Sequence, residues 1–180
     1  MKFSSFLFGS ILLITVLVSC TGSTKELVST TPTSSGIFPS WYSSNGFSSD
    51  SLAFYGYGVA IAADSTDAIS RATIDAQNKL STSLGKLAED IRLDMERDNI
   101  AASKNADFIL LLRNAHSDVS TFSESKNSYT SSHDNSYRAI VQISITKDQA
   151  HQMFKSGFNG HPRYWAAFSG TAAYQSSFSN

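Results

Sequence analysis

The sequence predicts an α+β fold, in which one long helix packs closely on a small antiparallel sheet and shorter helices complete the domain. Three observations lead to this prediction. A run of β-forming residues containing two glycines is followed by a long stretch with helical periodicity, and two strand-like stretches come later as a hairpin.

The first predicted strand covers residues 54–62, with the sequence FYGYGVAIA. Gly56 and Gly58 lie on the same face of this strand and make that face flat, so that a helix can approach it closely. A dinucleotide-binding fingerprint beginning at Gly56 is the functional alternative. It lacks its third glycine, and its residues lie inside a strand instead of in a strand-to-helix turn. The two glycines therefore predict close packing.

A long helix is predicted to follow this strand. Residues 64–66 offer N-cap side chains, and Asp67 places a negative charge in the first turn, where the helix dipole favours it. Asp98 and Asn99 are expected to interrupt the helix. One apolar stripe recurs at steps of three and four residues and predicts a buried face, and its members are Ile69, Ala72, Ala76, Leu80, Leu84, Leu87 and Ile91.

The middle of the chain predicts a second helix and a hairpin. Residues 101–115 have a helical pattern, although the apolar run 108–112 fits a buried strand equally well by periodicity. Residues 119–129 and 137–145 are expected to pair through a turn near residues 133–135. Since the first hairpin strand is polar on both faces, we expect its register to be weakly specified.

A short helix and an aromatic segment end the sequence. Thr146 and Gln149 match the capping-box pattern, which predicts a helix that ends at Gly157. Residues 158–180 form an aromatic C-terminal extension rich in small residues. Two arrangements of this extension stay open, a final helix packed against the domain and an exposed arm.

The N-terminus predicts a bacterial lipoprotein signal over residues 1–19. Lys2 and an apolar run precede Leu17-Val18-Ser19-Cys20, which fits a lipobox with its cysteine directly after the cleavage point. Cys20 is the predicted lipid attachment site. Because Cys20 is the only cysteine of the chain, an internal disulfide is excluded and the fold depends on burial.

A tether and an aromatic docking point are predicted next. Residues 20–38 carry the lipidated cysteine and a Ser/Thr-rich segment without an apolar face, which is typical of a flexible linker. The apolar content rises near Trp41 and Tyr42. These aromatics are expected to form a lid over a sheet or a helix end, with an exposed binding patch as the alternative.

The composition and the scattered polar residues argue against several classes of function. Fourteen basic and fifteen acidic residues form no basic cluster, so nucleic acid is not an expected partner. The sequence also shows no nucleophile elbow, and Asp64 and Asp67 are explained by helix capping. We therefore expect no catalytic residues, no cofactor and no metal. The histidines lack the spacing of metal ligands, and they are His116, His133, His151 and His161.

Several of these features occur in the order found in one known family. They are Pro39-x-Trp41, the Tyr-Gly strand, the Ala68/Ala72/Ala76/Leu80 helix, the stretch 137–141 and the stretch 146–149. Over residues 39–157 the chain resembles the Lpp-twenty family of small bacterial surface lipoproteins. The resemblance implies a dodecin-like α+β domain, in which a small antiparallel sheet wraps around a long helix, and an association with the outer membrane. It supplies no catalytic motif. The polar hairpin strand and residues 158–180 depart from the family pattern.

The expected function is that of a non-enzymatic envelope lipoprotein. Its lipid on Cys20 would anchor it, and the absence of aspartate at Thr21 favours the outer membrane. The domain over residues 39–157 would then bind an envelope protein or further copies of this chain, through exposed strand edges or the aromatic extension. The alternative is a small-ligand-binding lipoprotein with an apolar pocket between the helix and the sheet, as the dodecin likeness allows.

Overall fold

The structure is a computed structural model that describes residues 38–178. The predicted signal, Cys20 and all of the tether except its last residue lie outside the described residues. The strands are β1 (Phe47–Ser49), β2 (Ala53–Ala62), β3 (Glu124–His133) and β4 (Ser136–Thr146). The helices are α1 (Ser65–Arg97), α2 (Ala106–Ala115), α3 (Val119–Phe122), α4 (Lys147–Gly157), α5 (Pro162–Ser169) and α6 (Ala172–Phe178), with a 3₁₀ turn over Ala101–Lys104.

The four strands form one antiparallel sheet in the order β1-β2-β4-β3, and α1 covers one of its faces. The predicted α+β architecture is confirmed. Alternate residues of β2 and β4 point toward α1, as in the pair Phe54 and Ile145. We call the opposite side the outer face of the sheet, and the pair Tyr57 and Gln142 lies on it.

The two glycines of β2 bring α1 into direct contact with the strand. A Cβ atom on Gly58 would collide with the carbonyl oxygen of Ala72 and would lie 2.5 Å from the amide nitrogen of Ala76. A Cβ on Gly56 would lie 2.5 Å from the carbonyl oxygen of Ala76. The close approach predicted from these glycines is confirmed, and the helix backbone itself occupies the space beside the strand.

The α1 helix begins and ends as predicted, but its buried stripe is shifted slightly. The Asp64 carboxylate accepts the Asp67 amide at 2.8 Å, and the helix ends at Asp98, before Asn99 takes a φ of 56°. The predicted members Ile69 and Leu87 are only half-buried, because the sheet and the other helices cover a stripe that advances mainly in steps of four. The buried residues are Ala68, Ala72, Ala76, Leu80, Leu84, Ala88, Ile91 and Met95.

The α1 helix is longer than the sheet that it covers. Its 33 residues span about 50 Å, whereas the ten residues of β2 span about 33 Å. The apolar surface that this excess presents has to be covered by other elements, and helices α2, α3, α5 and α6 all contact α1.

The run 108–112 lies within α2, so the helical interpretation of this run is confirmed and the strand alternative is wrong.

The predictions for the middle of the chain need two corrections. Residues 119–122 form the helix α3, and β3 begins only at Glu124, because Val119 turns inward to a buried position. Strand β1 was not expected from the sequence. Both elements have four residues or fewer, which is too short for either periodicity to be recognised.

The hairpin turn and the capping box are confirmed. Asp134 takes a φ of 52° between β3 and β4, within the predicted turn. The Thr146 hydroxyl accepts the Gln149 amide at 3.1 Å, and the Gln149 side chain accepts the Thr146 amide at 2.9 Å. Helix α4 ends at Gly157, as the sequence predicts.

The aromatic C-terminal segment packs against the domain as two helices, so the first of its two possible arrangements is observed. Phe168 on α5 is fully buried, and its ring centroid lies 5.7 Å from that of Phe158 and 5.9 Å from that of Phe154. Tyr174 on α6 is buried beside it, with ring centroids 5.2 Å apart. The aromatic residues of this segment therefore extend the core.

Candidate partner-binding surface

The outer face of the sheet carries an aromatic lid at one end. Trp41 and Tyr42 pack against a small cluster formed by Ala53, Tyr55 and Tyr57. The Tyr42 ring meets the Tyr57 ring edge-on at a centroid distance of 6.1 Å. The predicted lid is therefore confirmed as a lid over a sheet, and the chain enters the described structure on this outer face.

A chain of polar side chains crosses the outer face and joins all four strands. The Tyr57 hydroxyl lies 2.8 Å from the Ser48 hydroxyl and accepts the side-chain amide of Gln142 at 3.0 Å. The Gln142 carbonyl oxygen accepts the Asn127 side-chain amide at 2.5 Å. Gln142 is only 6% exposed, so its polar atoms need these partners. This network gives the polar strand β3 a specified register, which its own sequence pattern does not supply.

We expect Gln142→Leu to lower the free energy of unfolding by about 1–3 kcal/mol, because it removes a buried hydrogen-bonding partner from both Tyr57 and Asn127. Urea unfolding followed by circular dichroism measures this change. The same substitution at the exposed Gln152 is the matched control, with an expected change within about 0.5 kcal/mol. Equal effects of the two substitutions would show that the network does not stabilise the sheet.

One strand edge is blocked by a side chain. The Tyr57 amide donates to the carbonyl oxygen of Gly46, next to β1. Beyond β1, the Val59 amide donates to the Asp75 carboxylate at 3.0 Å, and Lys79 pairs with the same carboxylate at 2.7 Å. A carboxylate at this position occupies the amide that an incoming strand would need. The Val59 amide, the first one beyond β1 on this edge, is therefore unavailable to another strand.

The edge of β3 has no such protection. Backbone groups alternate in direction along an antiparallel strand. The amides of Tyr57 and Val59 point away from β4, so the backbone groups of Gly58, which lies between them, point toward Val141 of β4. The backbone groups of Val141 therefore point toward β2. Ser128 lies opposite Val141 on β3, so its backbone groups point outward, away from β4 and toward the edge of the sheet. The same holds for Thr130 and Ser132, which are exposed. Within residues 38–178, no strand other than β4 pairs with β3.

The composition of β3 also leaves its edge open. It has ten residues and no proline, and its segment 127–132 carries no charge. Lys126 forms the bulge between Ser125 and Asn127, but its ammonium group lies over the Tyr55 ring at 4.8 Å from the centroid. This lysine therefore points back across the sheet. Long, uncharged edge strands are the ones that pair with other chains.

A buried lysine near the sheet is held in a structural role. Lys147, the first residue of α4, is 7% exposed, and its ammonium group lies 4.4 Å from the centroid of the Phe54 ring. It donates to the carbonyl oxygen of Ser177, which joins α4 to α6. Burial lowers the pKa of this ammonium group, while the Asp50 charge opposes that shift. These contacts join α4 to β2 and to α6.

Asp50 organises the turn between β1 and β2. Its carboxylate accepts the amides of Leu52 and Ala53 at 2.8 and 2.9 Å and the Tyr55 hydroxyl at 2.8 Å. The Leu52 amide contributes most to lowering the pKa of this carboxyl group, followed by the Tyr55 hydroxyl. The charged form of Asp50 is therefore part of the folded turn.

The histidines lie on different elements, and they do not converge on a site. The His151 Nδ1 atom lies 3.0 Å from the hydroxyl of Tyr174, whose pKa is raised by burial. His116 packs against Gly85 of α1, and His133 is exposed in the hairpin turn. In the range 38–178, no group of three or more His, Cys, Asp or Glu residues is placed to hold a metal ion.

No protein-family model, no curated protein and no solved structure matches this chain. The resemblance to the Lpp-twenty family stays a prediction from the residues that carry it. Among the helices that the structure describes, none combines the length and the apolar character that a membrane crossing needs. The surface that stands out on geometric grounds is thus the open edge of β3.

Proposed function

We propose that this protein is a non-enzymatic, lipid-anchored lipoprotein of the bacterial cell envelope, held at the outer membrane and acting in structure, assembly or partner binding. The observation that carries the proposal is the lipobox at Leu17–Cys20 after a positive residue and an apolar run, with Cys20 as the only cysteine. Two or three acyl chains on this cysteine would make the attachment effectively permanent.

The folded domain supports a binding role over a catalytic one. The open β3 edge offers backbone donors and acceptors to another chain, which is the basis of binding by strand addition. Lys147, the charged residue that is buried within residues 38–178, is engaged with Phe54 and Ser177. These observations favour contacts with a protein as the function of the domain.

The geometry gives little support to a ligand pocket between the helix and the sheet. At β2 the α1 backbone lies directly against Gly56 and Gly58. Farther along, Leu80 and Leu84 are fully buried in the same interface. Because main-chain atoms and packed leucines fill this space, the interface favours partner binding over ligand binding as the function.

We expect Cys20→Ala to abolish acylation and to leave an uncleaved precursor, because the thiol is the acceptor of the lipid and lipidation precedes cleavage. Metabolic labelling with a clickable palmitate analogue, read on a gel of the full chain, measures both effects. Ser23→Ala, three residues beyond the cysteine, is the control and should retain full labelling. Persistent labelling of the Cys20 variant would refute the lipobox assignment.

The predicted location is tested separately with the unaltered chain. We expect it to sediment with the outer-membrane fraction on a sucrose gradient and to require detergent for release. Release by high salt alone would contradict a lipid anchor, because burial of acyl chains does not depend on ionic strength.

A further inference from the structure

We propose that the open β3 edge binds the β3 edge of a second copy of this chain, so that the two four-stranded sheets join into one continuous antiparallel sheet. This inference names a second copy of the chain as the partner in the proposed assembly role. Only the arrangement of the two copies at the membrane rests on the proposed function. The edge geometry that supports the pairing is independent of the lipid.

The register follows from the directions of the backbone groups. Ser128, Thr130 and Ser132 point their amides and carbonyl oxygens outward, and they are evenly spaced. A two-fold axis through Thr130, perpendicular to the sheet, places Thr130 opposite its own copy and Ser128 opposite Ser132 of the second copy. This arrangement forms about six backbone hydrogen bonds between the copies, since each such pair exchanges two.

The bulge also favours this register over its neighbour. With the axis at Thr130, the three pairs of outward residues all lie within the regular segment 127–133, clear of the bulge at Lys126. With the axis moved to Tyr129, Ser132 would have to pair with the bulge residue Lys126 of the second copy, where the regular alternation of the strand is interrupted.

The proposed dimer is compatible with attachment of both copies to one membrane. A two-fold axis perpendicular to the sheet keeps the outer faces of the two copies on the same side. The described chain begins at Phe38, which stacks on Tyr42 of the lid at a centroid distance of 4.7 Å on that outer face. Both N-terminal segments therefore leave from the same side, and anchoring in one membrane raises the effective concentration for pairing.

The protection of the edges supports a specific interface over indiscriminate association. At the outer edges of the joined sheet, β1 has only three residues, and the Asp75 carboxylate occupies the Val59 amide at the start of the uncovered part of β2. Pairing through β3 therefore closes after two copies. A sheet with two open edges would grow into longer assemblies instead.

The test uses the full chain in the envelope of a bacterial host, with single cysteines as distance reporters. In the proposed register, the Cα atoms of Thr130 and its copy are about 5.5 Å apart, which suits a disulfide. The Cα atoms of Ser132 and its copy are about 14 Å apart, which excludes one. We expect Thr130→Cys to give at least about tenfold more disulfide dimer than Ser132→Cys after mild oxidation with copper phenanthroline.

A second pair of variants tests the hydrogen bonds. Thr130→Pro removes an outward amide and leaves the β4 pairing intact, so we expect it to raise the dissociation constant of the detergent-solubilised dimer at least about tenfold. Thr130→Val keeps the amide and a branched side chain and should leave the constant unchanged. Equal crosslinking at the two cysteine positions, a monomeric unaltered chain, or equal behaviour of the proline and valine variants would overturn the inference.

The controls separate this inference from the proposed function. The unaltered chain should form no disulfide dimer, because lipid occupies its only thiol. A disulfide dimer of the unaltered chain would show a free Cys20 and contradict the lipoprotein proposal without touching the β3 inference. Acyl-labelled protein that stays monomeric would contradict the β3 inference alone.

Discussion

Gly58→Ala is expected to destabilise the protein by more than about 3 kcal/mol. The new methyl group would collide with the Ala72 carbonyl oxygen and approach the Ala76 amide nitrogen to 2.5 Å, and both atoms belong to the α1 main chain. Main-chain atoms of a long helix cannot move aside as a flexible side chain does, so the whole helix has to shift from the sheet. Thermal and urea unfolding monitored by circular dichroism measure the loss.

Gly85→Ala is the matched control for this prediction. Gly85 lies within α1, and its added methyl group would meet the His116 side chain at 2.9 Å. A side chain can rotate away, and alanine favours a helix over glycine by about 1 kcal/mol. We therefore expect unchanged or slightly higher stability. If Gly58→Ala were as mild as Gly85→Ala, the direct contact between α1 and β2 would be disproved.

Phe168→Ala is expected to lower the free energy of unfolding by about 3–5 kcal/mol, because it leaves a large cavity in a fully buried position. The ring lies among the aromatic rings of Phe108, Phe154, Phe158 and Tyr174. This cluster joins α2, α4, α5 and α6, so the loss is not confined to the C-terminus. Denaturant unfolding monitored by circular dichroism measures this loss.

Leu110→Ala is the control for the aromatic cluster. Leu110 is on α2 near this cluster in sequence, but it is 60% exposed, so its truncation should change stability by less than about 0.5 kcal/mol. An effect of Phe168→Ala as small as that of Leu110→Ala would mean that α5 and α6 do not contribute to the core. Phe168 is consequently unsuited to testing partner binding, since its loss affects the fold itself.

The sequence predicted best those features whose partners lie a few residues apart. The Asp64 cap joins residues three apart, and so does the Thr146 capping box. The glycine face of β2 was also predictable, because alternation along a strand follows from covalent geometry. These elements account for the long helix and the two strands at the centre of the sheet.

The candidate interface was only partly predictable. The polar pattern of β3 indicated an exposed strand with weak register. Its register, however, depends on Gln142, which is 15 residues from Asn127 and 85 residues from Tyr57. No local pattern encodes a hydrogen bond across such separations. Nor does the sequence show that Asp75 blocks one edge while the other edge stays open.

The sequence by itself determined the mixed α+β class, the bounds of α1, the hairpin turn and the expectation of a lipid at Cys20, because each depends on neighbouring residues or on a short motif. The tertiary structure alone decided that residues 158–178 complete the core and that β3 is the open edge. The physical reason is that burial and strand pairing depend on which distant surfaces meet, and α1 is too long for the sheet alone to cover.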